Sequence, residues 1–312
     1  MEIGIVLPSG VPGVDGRTVV EWARRTDAGP FSSIAVADRL AYPNLDLMMT
    51  LAAAAAVTSR VRLVANVLLA GWRQPPLVAK EIATLAALAP GRVSIGVGVG
   101  GRPADYELVG LPWDQRGRLV DECLAELFRI KHAGLPDQNL GPQVPDDVEI
   151  LIGGASPPAL RRLVRYGNGY MSGGLKPGIF AFEAMASLQA WREAERPGRP
   201  RIVAGTWYAS SEDPDDRAAA SLAHYLQQGG PPPPVNAGIA RGKDGVTECV
   251  RSFREQGADE VILFPLIDEV GELDWLADVV GAMPEFPRGE PTPPPFPGAS
   301  GAGQPAGRGA AA

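Results

Sequence analysis

The stretch RVSIGVGVGG, residues 92–101, carries glycine at every second position from Gly96 to Gly100 and adds Gly101 directly after it. In an extended strand successive side chains point to opposite faces, so Gly96, Gly98 and Gly100 share one face and Ile95, Val97 and Val99 the other. The same letters satisfy G-x-G-x-x-G through Gly96, Gly98 and Gly101, the glycine pattern of a dinucleotide-binding turn. Context decides against that reading. The fingerprint belongs in the first strand-to-helix turn, opens a helix directly, and is followed about 20 residues on by an acidic residue that ends the next strand. Here the run is the fourth strand pattern of the chain and continues into the loop-like GRPADYELVGLP. The acidic residues at the required distance, Asp121 and Glu122, fall inside a helical pattern.

The neighbours of this strand define what it belongs to. Apolar runs of strand length occur at IGIVLP (3–8), IAVAD (34–38), RVRLVANVLL (60–69), VEILIGG (148–154), GYMSGG (169–174), RIVAGTWYA (201–209) and DEVILFPL (259–266). Helical periodicity fills the intervals at 18–27, 46–60, 76–91, 115–134, 156–167, 180–195, 214–228 with 247–256, and 272–283. Ser156 stands at the N-cap position of its helix, with prolines in the first turn. The helix over 46–60 is apolar nearly all round, which points to burial on more than one side and to contact with a second subunit. Eight β/α units of this kind favour an α/β fold closed as a (β/α)8 TIM barrel in a single domain, with an open doubly wound sheet as the alternative. In a barrel, a glycine face turned inward hollows the interior near the C-terminal strand ends, where barrel active sites are built. The plainer alternative is that the glycines admit bulky side chains from neighbouring strands.

Composition bounds the function classes. The 312 residues are 45% hydrophobic and 21% charged with a net charge of −7, and no run of Lys and Arg occurs. A nucleic-acid or anionic-membrane surface is therefore excluded. Cys123 and Cys249 lie far apart, without the C-x-x-C spacing of a zinc or redox site, so no metal centre is expected. The start MEIGIVLPSG has no basic region and too short an apolar run for a signal peptide, and no apolar window reaches the length of a membrane span; a cytoplasmic location is expected. Residues 285–312 are almost entirely Pro, Gly, Ala and Ser and are expected to form a disordered tail after a domain spanning 1–284.

Taken together, AVADRL, LAAAAAVTSRVRLVANVLLAGWRQPPLVAKEIATLAALAPGRVSIGVGVGGRPADYELVG, RGRLVDECL, ILIGGASPPALRRLVRYGNGYMSGG and GADEVILFPL closely resemble the bacterial luciferase-like family of flavin-dependent oxidoreductases, over about residues 3–283. The resemblance implies a (β/α)8 barrel that binds FMN, or in one branch a deazaflavin coenzyme, at the C-terminal strand ends. It places the flavin ring and ribityl chain along Gly98, Val99 and Gly100. It places the phosphate against Gly153, Gly154, Ala155 and Ser156, whose backbone N–H groups precede a helix N-terminus, and against Gly173 and Lys176. A non-proline cis peptide that buttresses the ring is implied at Asn66–Val67. The chain departs from the family's best-known members after strand two, where their histidine is replaced here by the pair Asp38–Arg39. Of its two histidines, His132 closes a helix at the barrel bottom and His224 lies mid-helix, with an ordinary packed position expected.

The remaining candidates come from the strand ends: Asp38, Arg39 and Trp72 for catalysis, with Asp38 as acid or base, and Arg73, Arg102 and Tyr208 for substrate. The reading reached is a flavin-dependent monooxygenase in which reduced FMN, supplied by a partner flavin reductase, and O2 oxygenate a small organic substrate, in a homodimer. Its alternatives are a deazaflavin-dependent reductase or dehydrogenase that transfers hydride, and a non-catalytic flavin-binding barrel.

Overall fold

A computed structural model describes residues 1–133, 141–172, 177–213, 216–227 and 238–286. Strands β1 (Glu2–Val6), β2 (Ser33–Val36), β3 (Arg62–Leu69), β4 (Val93–Gly98), β5 (Glu149–Gly153), β6 (Gly169–Met171) and β7 (Arg201–Ala209) run parallel in sequence order. A three-residue β8 (Ile239–Arg241) and then β9 (Glu260–Pro265) follow. The sheet closes through β6 on β7, β7 on β9 and β9 on β1, giving an eight-strand barrel that matches the sequence expectation. β8 stands outside that ring. It pairs with the far end of β7, Trp207 opposite Ile239, beyond the point where the short β6 has ended. In the sequence β8 is indistinguishable from loop, because three residues flanked by Gly238 and Gly242 carry no periodicity.

Helices α1 (Gly16–Ala28), α2 (Leu47–Val57), α3 (Pro75–Leu88), the short α4 (Pro103–Glu107), α5 (Arg116–Ala133), α6 (Pro157–Tyr166), α7 (Pro177–Glu193), α8 (Arg217–Gln227), α9 (Gly242–Glu255) and α10 (Val270–Gly281) surround the sheet. Local chemistry starts several of them: Asp46 caps α2 by accepting from the Met49 N–H at 2.8 Å, and prolines open α3 and α6. Residues 287–312 of the expected tail lie outside the described residues, while Phe286 is buried against the core. Among the described residues no helix is long and apolar enough to cross a membrane.

Strand alternation divides the core in two. Ile5, Ile34, Leu63, Ile95, Val97, Ile150, Ile152 and Leu263 face the helices. Val6, Ala35, Val64, Leu151, Met171, Val203 and Ile262 fill the barrel interior. Beneath that inner layer the strand starts carry polar groups: Glu2, Ser33, Arg62, Ser94, Glu149, Arg201 and Glu260. Arg201 Nη2 donates to Glu260 Oε2 at 2.9 Å and to Glu2 Oε2 at 2.6 Å, and the Ser32 and Ser33 hydroxyls donate to Glu260 Oε1 at 2.8 and 2.5 Å. Burial alone pushes the Glu260 carboxyl up, but Arg201 and the two hydroxyls outweigh it and hold the group below the usual carboxylate range.

Removing Glu260 takes one hydrogen-bonded carboxylate from the buried Arg201 and leaves it, among the described residues, the bond to Glu2 and the charge of Glu149. Glu260→Ala is therefore expected to lower the unfolding free energy by about 3–5 kcal/mol in urea titrations near neutral pH. Because the folded carboxyl titrates lower than the unfolded one, its contribution is present above the ordinary carboxylate range. It is lost as pH falls through the folded value, so the gap between wild type and variant should narrow in acid.

Candidate functional site

The C-terminal strand ends surround a chamber of about 480 Å3, within the range of small-molecule and cofactor sites. Its wall is bare backbone at Gly98, Gly100, Gly101, Gly153 and Gly154 and apolar at Val67, Leu69, Met171, Trp207 and Phe264. Polar groups enter at Asp38, Arg39, Asn66, Arg102 and Ser172. A hollow of about 50 Å3 lies alongside, lined by Pro8, Val11, Tyr42, Trp207 and Tyr225 among others.

The floor is set by a bulge. β3 pairs with β4 as Ala65 opposite Ile95 and then Leu68 opposite Val97, so β3 spends one extra residue across that interval. Such a bulge re-aims a side chain. Here it carries the cis Asn66–Val67 peptide, at the position the resemblance implies, and brings Val67 over the barrel interior. The β4 glycines accommodate it. A Cβ at Gly98 would stand 2.5 Å from Val67 Cγ2, and one at Gly96 would stand 2.9 Å from Val67 Cγ1, 2.6 Å from the Ala65 carbonyl and 2.8 Å from Met171 Sδ. The glycine face does point inward, but at Gly96 and Gly98 the cleared space is occupied by a neighbour's side chain. Beyond the strand end the wall opens at Gly101, where a Cβ would meet nothing within 4 Å, whereas at Gly100, with φ +71°, it would stand 3.2 Å from Leu69 Cδ1.

Asp38 and Arg39 leave β2 together and take separate partners. Asp38 is buried; its Oδ2 accepts the Leu69 N–H at 3.0 Å, and Arg73 Nη2 reaches Oδ1 at 3.1 Å and Oδ2 at 3.2 Å. Burial raises the Asp38 carboxyl above the usual range, and Arg73 and the Leu69 N–H offset only part of that rise. Arg73 also faces Asp46 at 3.6 Å and Glu81 at 3.7 Å. Arg39 Nε pairs instead with Asp105 Oδ2 at 3.0 Å, on α4. Asp38 and Arg39, adjacent in sequence, thus enter two separate ion pairs, with Arg73 and with Asp105.

Several candidates fall elsewhere. Tyr208 is fully buried on the helix side of β7, stacked on Trp275 of α10 at 6.4 Å, because the inward residues of that strand are Val203, Gly205 and Trp207. Trp207 occupies the chamber wall in its place. Trp72 lies outside the lining, with the Arg73 guanidinium 4.2 Å from its ring centroid, and Arg73 touches the site only through Asp38. Arg102 lines the chamber but directs its Nη atoms to the Leu226 and Tyr225 carbonyls at 3.1 and 3.3 Å. Val99 is part of the lining. Ala155 and Ser156 stand beyond it; Ser156 is exposed and makes no side-chain cap bond, and Pro157 and Pro158 remove two N–H donors from the start of α6. Gly173 and Lys176 lie outside the described residues. His132, near the end of α5, and His224, on α8, are both exposed, so His224 does not take the packed position expected of it; its ring centroid lies 5.8 Å from that of Tyr42. Trp207 and Phe264 were open to discovery from alternation alone; Asp105, Tyr42 and Tyr225 carried no sequence signal, since they arrive from α4, a loop and the far end of α8.

The model of the luciferase-like monooxygenase family matches residues 1–258. An uncharacterized protein of Mycobacterium tuberculosis H37Rv is 35% identical over 188 residues, a match spanning 50% of this chain and 65% of that protein. An F420-dependent glucose-6-phosphate dehydrogenase of Beutenbergia cavernae is 34% identical over 140 residues, 39% of this chain and 40% of that one. Among solved structures, an F420-dependent secondary alcohol dehydrogenase with an F420-acetone adduct superposes with a TM-score of 0.76 at 19% identity, covering 90% of this chain and 98% of its own. The oxygenating constituent of 3,6-diketocamphane monooxygenase from Pseudomonas putida, in complex with FMN, superposes with a TM-score of 0.67 at 18% identity, covering 92% and 99%.

Enlarging Gly98 forces Val67 from its seat. Gly98→Ala is expected to cost about 1–3 kcal/mol in urea unfolding, and combining it with Val67→Ala should recover part of that loss. Additive losses in the double variant would show that Val67 does not fill the notch.

Proposed function

The chain belongs to the luciferase-like monooxygenase family of flavin- or deazaflavin-dependent oxidoreductases, and on that premise we propose that it transfers hydride between the deazaflavin coenzyme F420 and a small organic substrate, with Asp38 handling the substrate's proton. The chamber suits a flat ring system. A Cβ at Gly101 would meet nothing within 4 Å and one at Gly154 would first meet Ala159 at 3.9 Å, so the glycine wall leaves a surface without side chains against which a ring can lie. Val67, Gly98, Val99, Gly100, Gly153 and Gly154 are the residues that would hold it. When bound, the deazaflavin ring supplies the hydride acceptor or donor; the chain's part is to position the substrate, exclude water and move one proton.

The observation that carries this reading is Asp38, a buried carboxyl that lines the chamber with its proton affinity raised. In substrate oxidation, Oδ1, the oxygen that does not accept the Leu69 N–H and is held only by Arg73 among the described residues, takes the hydroxyl proton as the carbinol carbon gives up hydride. The identity to the Beutenbergia F420-dependent dehydrogenase supports the same choice of coenzyme. Oxygenation by reduced FMN, O2 and a partner reductase is the second reading, favoured by the FMN-bound monooxygenase of the same fold. For the assembly we propose a homodimer, supported by the exposed Ile179, Phe182 and Met185 along one side of α7.

Parallel absorbance and fluorescence titrations with F420 and FMN separate the two readings: F420 is expected to bind at least tenfold more tightly. Tight FMN binding with oxygen uptake on adding reduced FMN would move the assignment to the monooxygenase. A base that must be ionised loses activity as pH falls through its pKa, so kcat/KM for substrate oxidation should drop on the acid side, with a midpoint above the ordinary carboxylate range. Asp38→Asn should lower kcat about 100- to 10,000-fold and abolish that limb.

A further inference from the structure

Arg39 is held by one edge and free at the other. Its side chain is only 6% exposed, and Nε donates to Asp105 at 3.0 Å (Oδ2) and 3.4 Å (Oδ1). Asp105 is itself fixed, because its Oδ1 accepts the Leu40 and Ala41 N–H groups at 3.0 and 2.8 Å. Nη1 and Nη2 are buried and have no acceptor among the described residues. A guanidinium does not shed its charge, and buried charged donors left without acceptors are costly and rare.

The surroundings state what kind of partner is missing. The guanidinium carbon lies 5.2 Å from the Tyr42 ring centroid and 5.8 Å from that of Tyr225, so aromatic rings crowd the fork. The other orphaned groups in this cluster also donate: the Tyr42 hydroxyl, and the indole N–H of Trp207, which packs on Tyr225 at 5.3 Å. The guanidinium fork and the indole can only donate, so what they lack among the described residues is an acceptor. Tyr225 borders both the large chamber and the small hollow beside it, as Trp207 and Phe264 do. Asp38, already engaged by Arg73 and the Leu69 N–H, offers Arg39 nothing.

We propose that Arg39 is the anchor for a carboxylate carried by the substrate. The two carboxylate oxygens accept from Nη1 and Nη2 in the fork geometry that guanidinium and carboxylate share. The substrate's apolar body lies on Trp207 and Phe264, and the Tyr225 ring turns aside to admit the anion. The glycine wall that suits a cofactor belongs to β4, β5 and the residues just after them, whereas Arg39 stands with Tyr225 of α8, which assigns this group to the substrate. The inference deepens the proposed function and rests on it.

Calorimetric titration of the full chain with benzoate, its neutral isostere benzamide and inorganic phosphate tests the anchor without any cofactor. Benzoate is expected to bind at least tenfold more tightly than benzamide, Arg39→Met to weaken benzoate at least tenfold, and Tyr225→Ala to tighten it by exposing the fork. Arg39→Lys keeps the charge but lacks the fork, and should also weaken benzoate; it decides the matter if Arg39→Met does not fold. Equal binding of benzoate and benzamide, or benzoate binding indifferent to both Arg39 variants, overturns the proposal. So does phosphate binding more tightly than benzoate and being displaced by F420 or FMN, which would give Arg39 to the cofactor. Cofactor titrations of the same proteins keep the failures distinct: a chain that binds F420 but not benzoate loses the carboxylate anchor alone, and one that binds neither coenzyme loses the proposed function.

Discussion

A closed eight-stranded sheet has an interior of fixed width, and every strand must deliver side chains that fill it without collision. This barrel meets the constraint with three unlike levels. Charges and hydroxyls centred on Arg201 and Glu260 occupy the strand starts, seven apolar side chains fill the middle, and Val67 caps the column from its bulge. The chamber exists because the column stops there. Gly96, Gly98 and Gly153 accept Val67 at close range, and the glycines beyond add no side chains above it. Volume removed from one strand and volume supplied by its neighbour are thus one device. The glycine run both admits a neighbour's side chain and hollows the interior, at different heights of the same wall.

Much of this was legible in the sequence, for physical reasons that also explain what was not. Buried parallel strands are apolar on both faces, so β1 to β7 and β9 stood out as short apolar runs between helical periods. β8 did not, since three residues cannot show a period. Facing was legible where alternation was followed through. Applied to RIVAGTWYA, the inward positions of Val203 and Gly205 extend to Trp207 and exclude Tyr208, which instead packs beneath α10. Asp38 and Arg39 were found by their place at a strand end. Their true partners, Arg73 and Asp105, lie 35 and 66 residues away, and pairings at that range are invisible to spacing. The same holds for the charged layer below: Glu2, Glu149, Arg201 and Glu260 read as polar flanks until closure brings strand starts together.

The two prolines at the head of α6 qualify the anion site that resemblance implies. A helix N-terminus attracts a phosphate through its free N–H groups and dipole, and Pro157 and Pro158 leave the dipole while deleting two of the donors. Among the described residues, that corner offers a phosphate the backbone of Gly154, Ala155 and Ser156 together with the uncommitted Ser156 hydroxyl.

Arg73 gives the site a further property. One guanidinium stands among three carboxylates, Asp38 at 3.1 Å, Asp46 at 3.6 Å and Glu81 at 3.7 Å. When Asp38 takes a proton, Arg73 is not stranded as a lone buried cation, because Asp46 and Glu81 continue to neutralise it. The energetic penalty that accompanies protonation of one half of an isolated buried pair is therefore spread over two helices, α3 and the cap of α2. In the proposed reaction a proton taken up by Asp38 would thus leave Arg73 still facing two carboxylates, and the charge of the cluster would be shared rather than held by one pair.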